Sequence, residues 1–313
     1  MYENAFHLTL SQVIEGYNLA AQARALSPNT IRDYNHTFKQ FRKFLKSDPV
    51  FFKITKIQIL RFLAAQKHLS NKTLLNYHTG LSALYTWAVA EGYAQEHHMH
   101  GVDRPRPEQR TIQPIPIEHI RAMLSVLGQS KTYARPGKRV STHSTPCPLR
   151  NRAIILTLLD TGMRASELCS LRIHQVDLEQ RKFKVFGKGS KERILPFSAR
   201  TGQAIWKYLA TDRKDDYLDR PLFATQRGQP LNRTSLRQIL ERISARAELP
   251  KYTPHDFRHT FAVNYLRNYP NIYTLQEMLG HTTLDMVKRY LAISQNDLDD
   301  AHRHASPVEK WGL

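Results

Sequence analysis

Cysteine is nearly absent from the 313 residues: Cys147 and Cys169 are the only two. Two thiols support neither a disulfide framework nor a cysteine zinc site, so the fold has to rest on an apolar core. Long apolar runs are missing as well, and no stretch approaches the ~18 residues of a membrane-spanning helix. The segment MYENAFHLTLSQVIEGY lacks the basic-then-apolar layout of a secretion signal, so a cytoplasmic protein with no membrane partner is expected. Acidic side chains are scarce. Asp and Glu number 27 against 46 Lys and Arg, a formal charge of +19, and 15 histidines add to it at mildly acid pH. Such an excess points to a polyanionic partner, nucleic acid first.

At about 150 residues per domain, the length suits two domains. Residues 1–98 read as a helical bundle. In 8–23 the apolar positions Leu10, Val13, Ile14 and Tyr17 recur at helical spacing. Ser27 followed by Pro28 starts a helix over 27–46, with Ile31, Tyr34, Phe38, Phe41 and Leu45 on one face. Arg32, His36, Lys39, Arg42 and Lys43 line the other face, as candidate phosphate contacts. Helices over 54–65 and 70–91 follow, and Lys72 and Thr73 at the start of the second offer basic and polar groups to a phosphate. Residues 99–116 carry four prolines and little periodicity, which is linker chemistry; Arg104 and Arg106 there could track a nucleic-acid backbone.

The C-terminal part, 117–296, is expected to be mostly helical with a small antiparallel sheet. Helices are predicted over 117–127, 149–161, 199–209 and 233–247, with a polar surface insertion over 129–148. The β-prone runs 182–186 and 193–197 form a hairpin turned at Gly187, Lys188, Gly189 and Ser190. Pro254 opens another helix, on which His255 and Arg258 share a face. Gly280 reads as a helix stop, and Thr282 with Asp285 as a capping box for a short helix that ends near Tyr290. The tail, 297–313, is polar but contains Leu298, Val308 and Trp311.

A phosphodiester attacked by a side-chain nucleophile accumulates charge on its equatorial oxygens. The site then needs bidentate cations, which arginine supplies best, an acid for the leaving oxygen and a partner for the nucleophile. Carboxylates do not cluster at two-metal spacing, so the expected chemistry uses no metal or other cofactor. Lys188 and Lys191 are rival acids in the hairpin turn. Glu167 and Asp256 are expected to orient the arginines beside them, and His259 reads as a structural histidine.

Five segments in order, TGMRASEL, GKGSKER, HDFRH, LGH and the tyrosine of VKRYL, resemble the motifs of the tyrosine recombinases of the phage integrase family, in an Xer-like layout. Residue by residue, the resemblance implies a catalytic set of Arg164, Lys188, His255, Arg258, His281 and Tyr290. Tyr290 follows His281 by nine residues, as in the family pattern. The implied fold is an N-terminal SAM-like core-binding bundle followed by a DNA breaking-rejoining domain. The implied reaction is site-specific recombination through a 3′-phosphotyrosyl link and a Holliday junction, without metal or ATP. Arg164 and Arg258 would clamp the phosphate, Lys188 protonate the leaving 5′-oxygen, His255 assist proton transfer at Tyr290 and His281 hydrogen-bond the phosphate. Implied partners are double-stranded DNA with paired half-sites, further copies of the chain, as a dimer per site and a tetramer in synapsis with the tail docked in trans, and an accessory DNA-bending protein. Mobile elements are one setting for such an enzyme. Competing readings are a type IB topoisomerase-like nicking-closing enzyme and a DNA-binding architectural factor without catalysis.

Overall fold

The computed structural model describes residues 7–106, 113–128, 146–187, 192–214, 217–280, 283, 284, 287, 290, 302, 303 and 305–312. The chain divides into two compact units, one through Arg110 and the other from Thr111.

In the first unit, α1 (Leu10–Ala23) is started by Thr9, whose side chain accepts from the Gln12 backbone while Gln12 reaches back to the Thr9 N–H. The Ser27 and Pro28 signal starts α2 (Pro28–Leu45) as expected, with the Ser27 hydroxyl accepting from Thr30 N–H. A short 3-10 turn, Phe51–Lys53, leads into α3 (Lys56–Ala65), which is shorter at its N-terminus than periodicity suggests because Thr55 caps it. Capped by Ser70, α4 (Asn71–Ala90) packs against the other three helices. The core between them is aromatic: the ring centroids of Phe41 and Phe62 lie 5.2 Å apart, and those of Tyr17 and Phe38 5.6 Å apart in an edge-on arrangement.

The segment read as linker is anchored at both ends. Met99 and Val102 are buried in the first core, and Ile115 is buried in the second with its N–H donated to Thr260 Oγ1 at 2.8 Å. Isolated apolar anchors among prolines leave no periodic trace, which is why composition alone assigns this stretch to a linker.

The second unit is built on α6 (Pro148–Thr161), which packs between α8 (Ala199–Asp212) and α10 (Pro254–Asn268). Around it lie α5 (Ile117–Ser125), α7 (Ala165–Ser170), α9 (Arg233–Arg246) and α11 (Ile272–Leu279). The hairpin of β2 (Lys182–Phe186) and β3 (Glu192–Pro196) is antiparallel, with Lys184 opposite Ile194, and it gains a two-residue third strand, β1 (Val176–Asp177). Strand alternation turns Phe183, Val185 and Leu195 into the core and leaves Lys182, Lys184 and Ile194 outside. A second apolar cluster joins Ala262 and Val263 of α10 to Leu275 and Leu279 of α11, and Val287 and Tyr290 pack on it. Helix α12 (Pro307–Trp311) carries Val308 and Trp311 exposed. The expected Thr282 and Asp285 cap, most of the 129–148 insertion and Leu298 lie outside the described residues.

Phe41 is fully buried against the Phe62 ring, so removing its own ring leaves a cavity. Phe41→Ala is expected to destabilise the first unit by about 3–5 kcal/mol, read as a lower midpoint in equilibrium denaturation.

Candidate active site

Two helix ends make the frame of the site. Helix α6 stops at Gly162 and α11 at Gly280, both left-handed, with φ of 58° and 61°. At Gly162 a Cβ would also stand 2.3 Å from a ring carbon of Phe261, so only glycine fits. The last carbonyls of a helix have no partner within it. Here arginines take them. Arg258 donates from Nη1 to the Gly162 carbonyl and from Nη2 to the Leu279 carbonyl, each at 2.8 Å. Arg164 donates from Nη2 to the next carbonyl, that of Gly280, at 2.6 Å.

The two guanidinium groups therefore converge on adjacent carbonyls although they come from different parts of the chain. Arg258 lies on α10, one turn from His255, whereas Arg164 is the residue before α7. Glu167, three residues on, accepts from the Arg164 backbone N–H at 2.7 Å and from its Nη1 at 2.9 Å. The same carboxylate takes both Nη groups of Arg193 on β3, at 2.9 and 2.8 Å, and Arg193 Nε donates to the Met278 carbonyl at 3.1 Å. Glu167 thus orients Arg164 directly, as expected, and holds beside it a third arginine, Arg193, to which the motif reading gives no role. Strand alternation is the signal that could have found it: Arg193 shares a face with buried Leu195, an inward position for a charge. Asp256 has a different task from the one expected, since it caps α10 by accepting from the Thr253 N–H and hydroxyl at 2.7 and 2.8 Å.

Among the described residues, two guanidinium groups, those of Arg164 and Arg193, share the Glu167 carboxylate, which is only 3 % exposed. Burial would raise the Glu167 carboxyl, but the hydrogen bonds and charge of Arg193, with the bonds from Arg164, outweigh it and hold the group below the usual carboxylate range. Arg258 is 4 % exposed; burial first and the Arg164 charge second pull it down to about 10, against the pull of Tyr290 and Glu167. It remains a cation at neutral pH.

Tyr290 is 8 % exposed, its ring seated in the α10–α11 apolar cluster. Its hydroxyl lies 3.0 Å from Nδ1 of His259, and the His259 ring meets that of His255 edge-on with centroids 4.1 Å apart. His259 therefore touches the expected nucleophile, which a structural histidine would not require. Its position one helical turn after His255 is the signal, since residues four apart share a face. Of the six expected catalytic residues, Arg164, His255, Arg258 and Tyr290 are brought together; Lys188 and His281 lie outside the described residues. Arg32, Lys39, Arg42, Lys43, Lys72, Arg104 and Arg106 are exposed on the first unit, and the Thr73 hydroxyl bonds Ser70 in the α4 cap.

Removing the Glu167 charge leaves Arg193 and Arg164 facing each other without a counterion. Glu167→Gln is expected to cost about 3–5 kcal/mol at neutral pH. Because the folded carboxyl is depressed, its contribution is complete above the unfolded value and is lost as pH falls through the folded one. The gap between wild type and variant in denaturant titrations should therefore narrow in acid.

The family model for the phage integrase family matches residues 138–297, about half of the chain, and that for the phage integrase N-terminal SAM-like domain matches residues 14–92. The chain is 28% identical to tyrosine recombinase XerC of Pelobacter propionicus over 95% of this chain and 96% of that protein. It is 26% identical to tyrosine recombinase XerD of Staphylococcus saprophyticus over 95% and 99%. Its fold is similar to that of the Tn1549 transposon integrase in complex with a circular intermediate DNA, with a TM-score of 0.72, 20% identity and coverage of 93% of this chain and 99% of that one. It is also similar to XerH site-specific recombinase bound to palindromic difH substrate, with a TM-score of 0.70, 22% identity and coverage of 94% and 84%. With motifs, fold and both models in agreement, the chain belongs to the phage integrase family, the site-specific recombinases that cleave and rejoin DNA.

Proposed function

We propose that this chain recombines double-stranded DNA at paired half-sites, with Tyr290 as the nucleophile. The observation that carries the reading is the convergence of Arg164 and Arg258 on the adjacent carbonyls of Leu279 and Gly280, with the Tyr290 phenol seated on the same helix end. A phosphodiester there would receive two bidentate cations, which favour the charge of a pentavalent transition state over that of the ground state. Tyr290 attacks phosphorus, the 5′-oxygen leaves with a proton from Lys188, and His281 hydrogen-bonds the phosphate; for these last two the family motif is the support. The 3′-phosphotyrosyl link conserves the energy of the broken bond, so a second 5′-hydroxyl reverses the step without ATP.

The first unit holds DNA through Arg32, Lys39, Arg42 and Lys43 on the outer face of α2, with Lys72 and Thr73 at the start of α4 and Arg104 and Arg106 beyond it. Exposure and charge support this, and so does the relative bound to difH DNA. The working assembly is a dimer on each site and a tetramer in synapsis. Trp311, 73 % exposed on α12, is the group that would dock on a neighbouring copy. The burial of Arg258 as a cation favours this reading over a binding factor without chemistry, because simple DNA contact would not require that cost.

A pool of nicked duplexes of randomised sequence tests the chemistry, since cleavage beside the nick releases the short 5′-hydroxyl strand and traps the protein on the DNA. Wild-type chain is expected to form a denaturation-resistant adduct with a selected subset, and Tyr290→Phe to form none while still shifting the selected duplex in a native gel. An adduct undiminished in Tyr290→Phe would sink the reading. With the selected duplex in hand, Lys39→Ala and Lys43→Ala should each lower the slope of log affinity against log salt by about 1.

A further inference from the structure

We infer that His259 takes the proton from Tyr290 during cleavage, and that His255 stands one ring further out; the inference rests on the proposed role of Tyr290. Four observations carry it. The first is contact: Nδ1 of His259 is 3.0 Å from the Tyr290 oxygen, within reach for direct proton transfer. The second is location, because the Tyr290 ring packs in the cluster with Leu279, whose carbonyl accepts from Arg258, so the phenol that meets His259 is seated beside the residue that anchors the arginine clamp. The third is the arrangement of rings. Tyr290, His259 and His255 form a row with centroid separations of 5.3 and 4.1 Å, and they pass from buried through half-buried to exposed. A proton received at the buried end has a titratable ring between it and solvent. The fourth is rigidity: His259 sits mid-helix on α10, whose next residue Thr260 and preceding residue Arg258 are both buried and hydrogen-bonded, so its ring is aimed by a fixed backbone.

The step balances. With the His259 proton on Nε2, Nδ1 is the acceptor and the phenol donates. As the Tyr290 oxygen bonds phosphorus, its O–H proton passes to Nδ1, giving an imidazolium. The bond from phosphorus to the 5′-oxygen breaks, and that oxygen is protonated by the acid. In the reverse step the incoming 5′-hydroxyl loses its proton to that acid, now its conjugate base, and the departing Tyr290 oxygen recovers a proton from the His259 imidazolium. No electron acceptor or co-reactant is needed.

A bland alternative is that His259 only satisfies a buried hydroxyl. The two differ in what replaces the ring. An asparagine can present an amide oxygen near the Nδ1 position and keep the hydrogen bond, but it cannot take a proton at neutral pH. The experiment is single-turnover cleavage of the duplex selected above by the full-length chain, with duplex affinity and thermal unfolding measured in parallel. Wild-type adduct formation tests the parent reading by itself: if no adduct forms, that reading fails before the variants are compared. Given the adduct, His259→Asn is expected to bind DNA normally and to cleave about 100-fold more slowly or worse, the scale of a lost general base. His259→Ala should be similarly slow and should recover at least 10-fold with added imidazole. Cleavage by His259→Asn within a few-fold of wild type would overturn the inference, as would a folded, DNA-binding His259→Ala that imidazole does not accelerate. If His259→Ala does not fold, the rate of His259→Asn decides alone.

Discussion

The site depends on one kind of bond, a guanidinium N–H donated to a helix-terminal carbonyl. Gly162 at the end of α6, and Met278, Leu279 and Gly280 at the end of α11, present carbonyls that their own helices cannot satisfy, and Arg258, Arg193 and Arg164 take them. A buried carbonyl left without a donor costs about 1–3 kcal/mol, and a cation at a helix C-terminus is favoured by the dipole as well. The folding requirement and the catalytic requirement are thus met by the same side chains. Backbone atoms hold the arginines, so the clamp geometry follows from how α6 and α11 are packed against α10. Gly280 shows how tight this is, since a Cβ there would lie 3.0 Å from Arg193 Nη1 and 3.2 Å from Arg164 Nη1.

Charge balance sets the second constraint. Glu167 pairs bidentately with Arg193 and also holds Arg164, and its charge acts on Arg258 as well, so one buried carboxylate offsets part of the charge of three arginines. Burial first, and after it the Arg164 charge, pulls Arg258 down; a second buried acid would relieve that repulsion, and it would also remove the attraction for a phosphate. The excess positive charge costs stability in the empty protein and lowers the energy of an anion that enters, most of all one whose charge grows during reaction. Since Arg193 comes from β3, the strand that follows the GKGSKE segment is tied to the clamp by the same carboxylate.

Much of the architecture is legible in the sequence because it is local. Ser27 and Pro28 start α2, Pro254 opens α10, Gly280 closes α11, and the apolar stripes of α2 and α4 face a common core, all from rules that act within a turn or two. What escapes is non-local or too short to show a period. Strand β1 has two residues, and its pairing with Phe183 and Lys182 defines it more than its own composition does. Helix α8 runs past 209 to Asp212 because its last turn is exposed and needs no apolar residue to continue. Arg164, His255, Arg258 and Tyr290 are visible as a motif set, yet the contacts that fix them, from Arg193 across 26 residues and from Tyr290 to His259 across 31, have no signature along the chain. Asp256 is instructive in the other direction. Adjacent in sequence to the site, it serves the α10 cap, and neighbourhood in sequence is no guide to which group a carboxylate meets.

Nucleophile and clamp are coupled through a single residue. The side chain of Leu279 belongs to the apolar bed under Tyr290, while its carbonyl accepts from Arg258. Tyr290 itself donates its backbone N–H to Val287 at 2.9 Å, and Val287 donates to Leu284 at 2.8 Å. This three-residue step puts Val287 and Tyr290 on the same side, toward α11. A phenol placed this way keeps its apolar body in the cluster and its polar tip at the histidine, the arrangement that suits an amphipathic ring. Any shift of the α11 terminus then moves the floor beneath the nucleophile and the anchor of the arginine together, so their relative geometry is preserved by covalent connection instead of by separate contacts. For an attack that tolerates little error in distance or alignment, that shared anchor is a stronger constraint than either hydrogen bond alone.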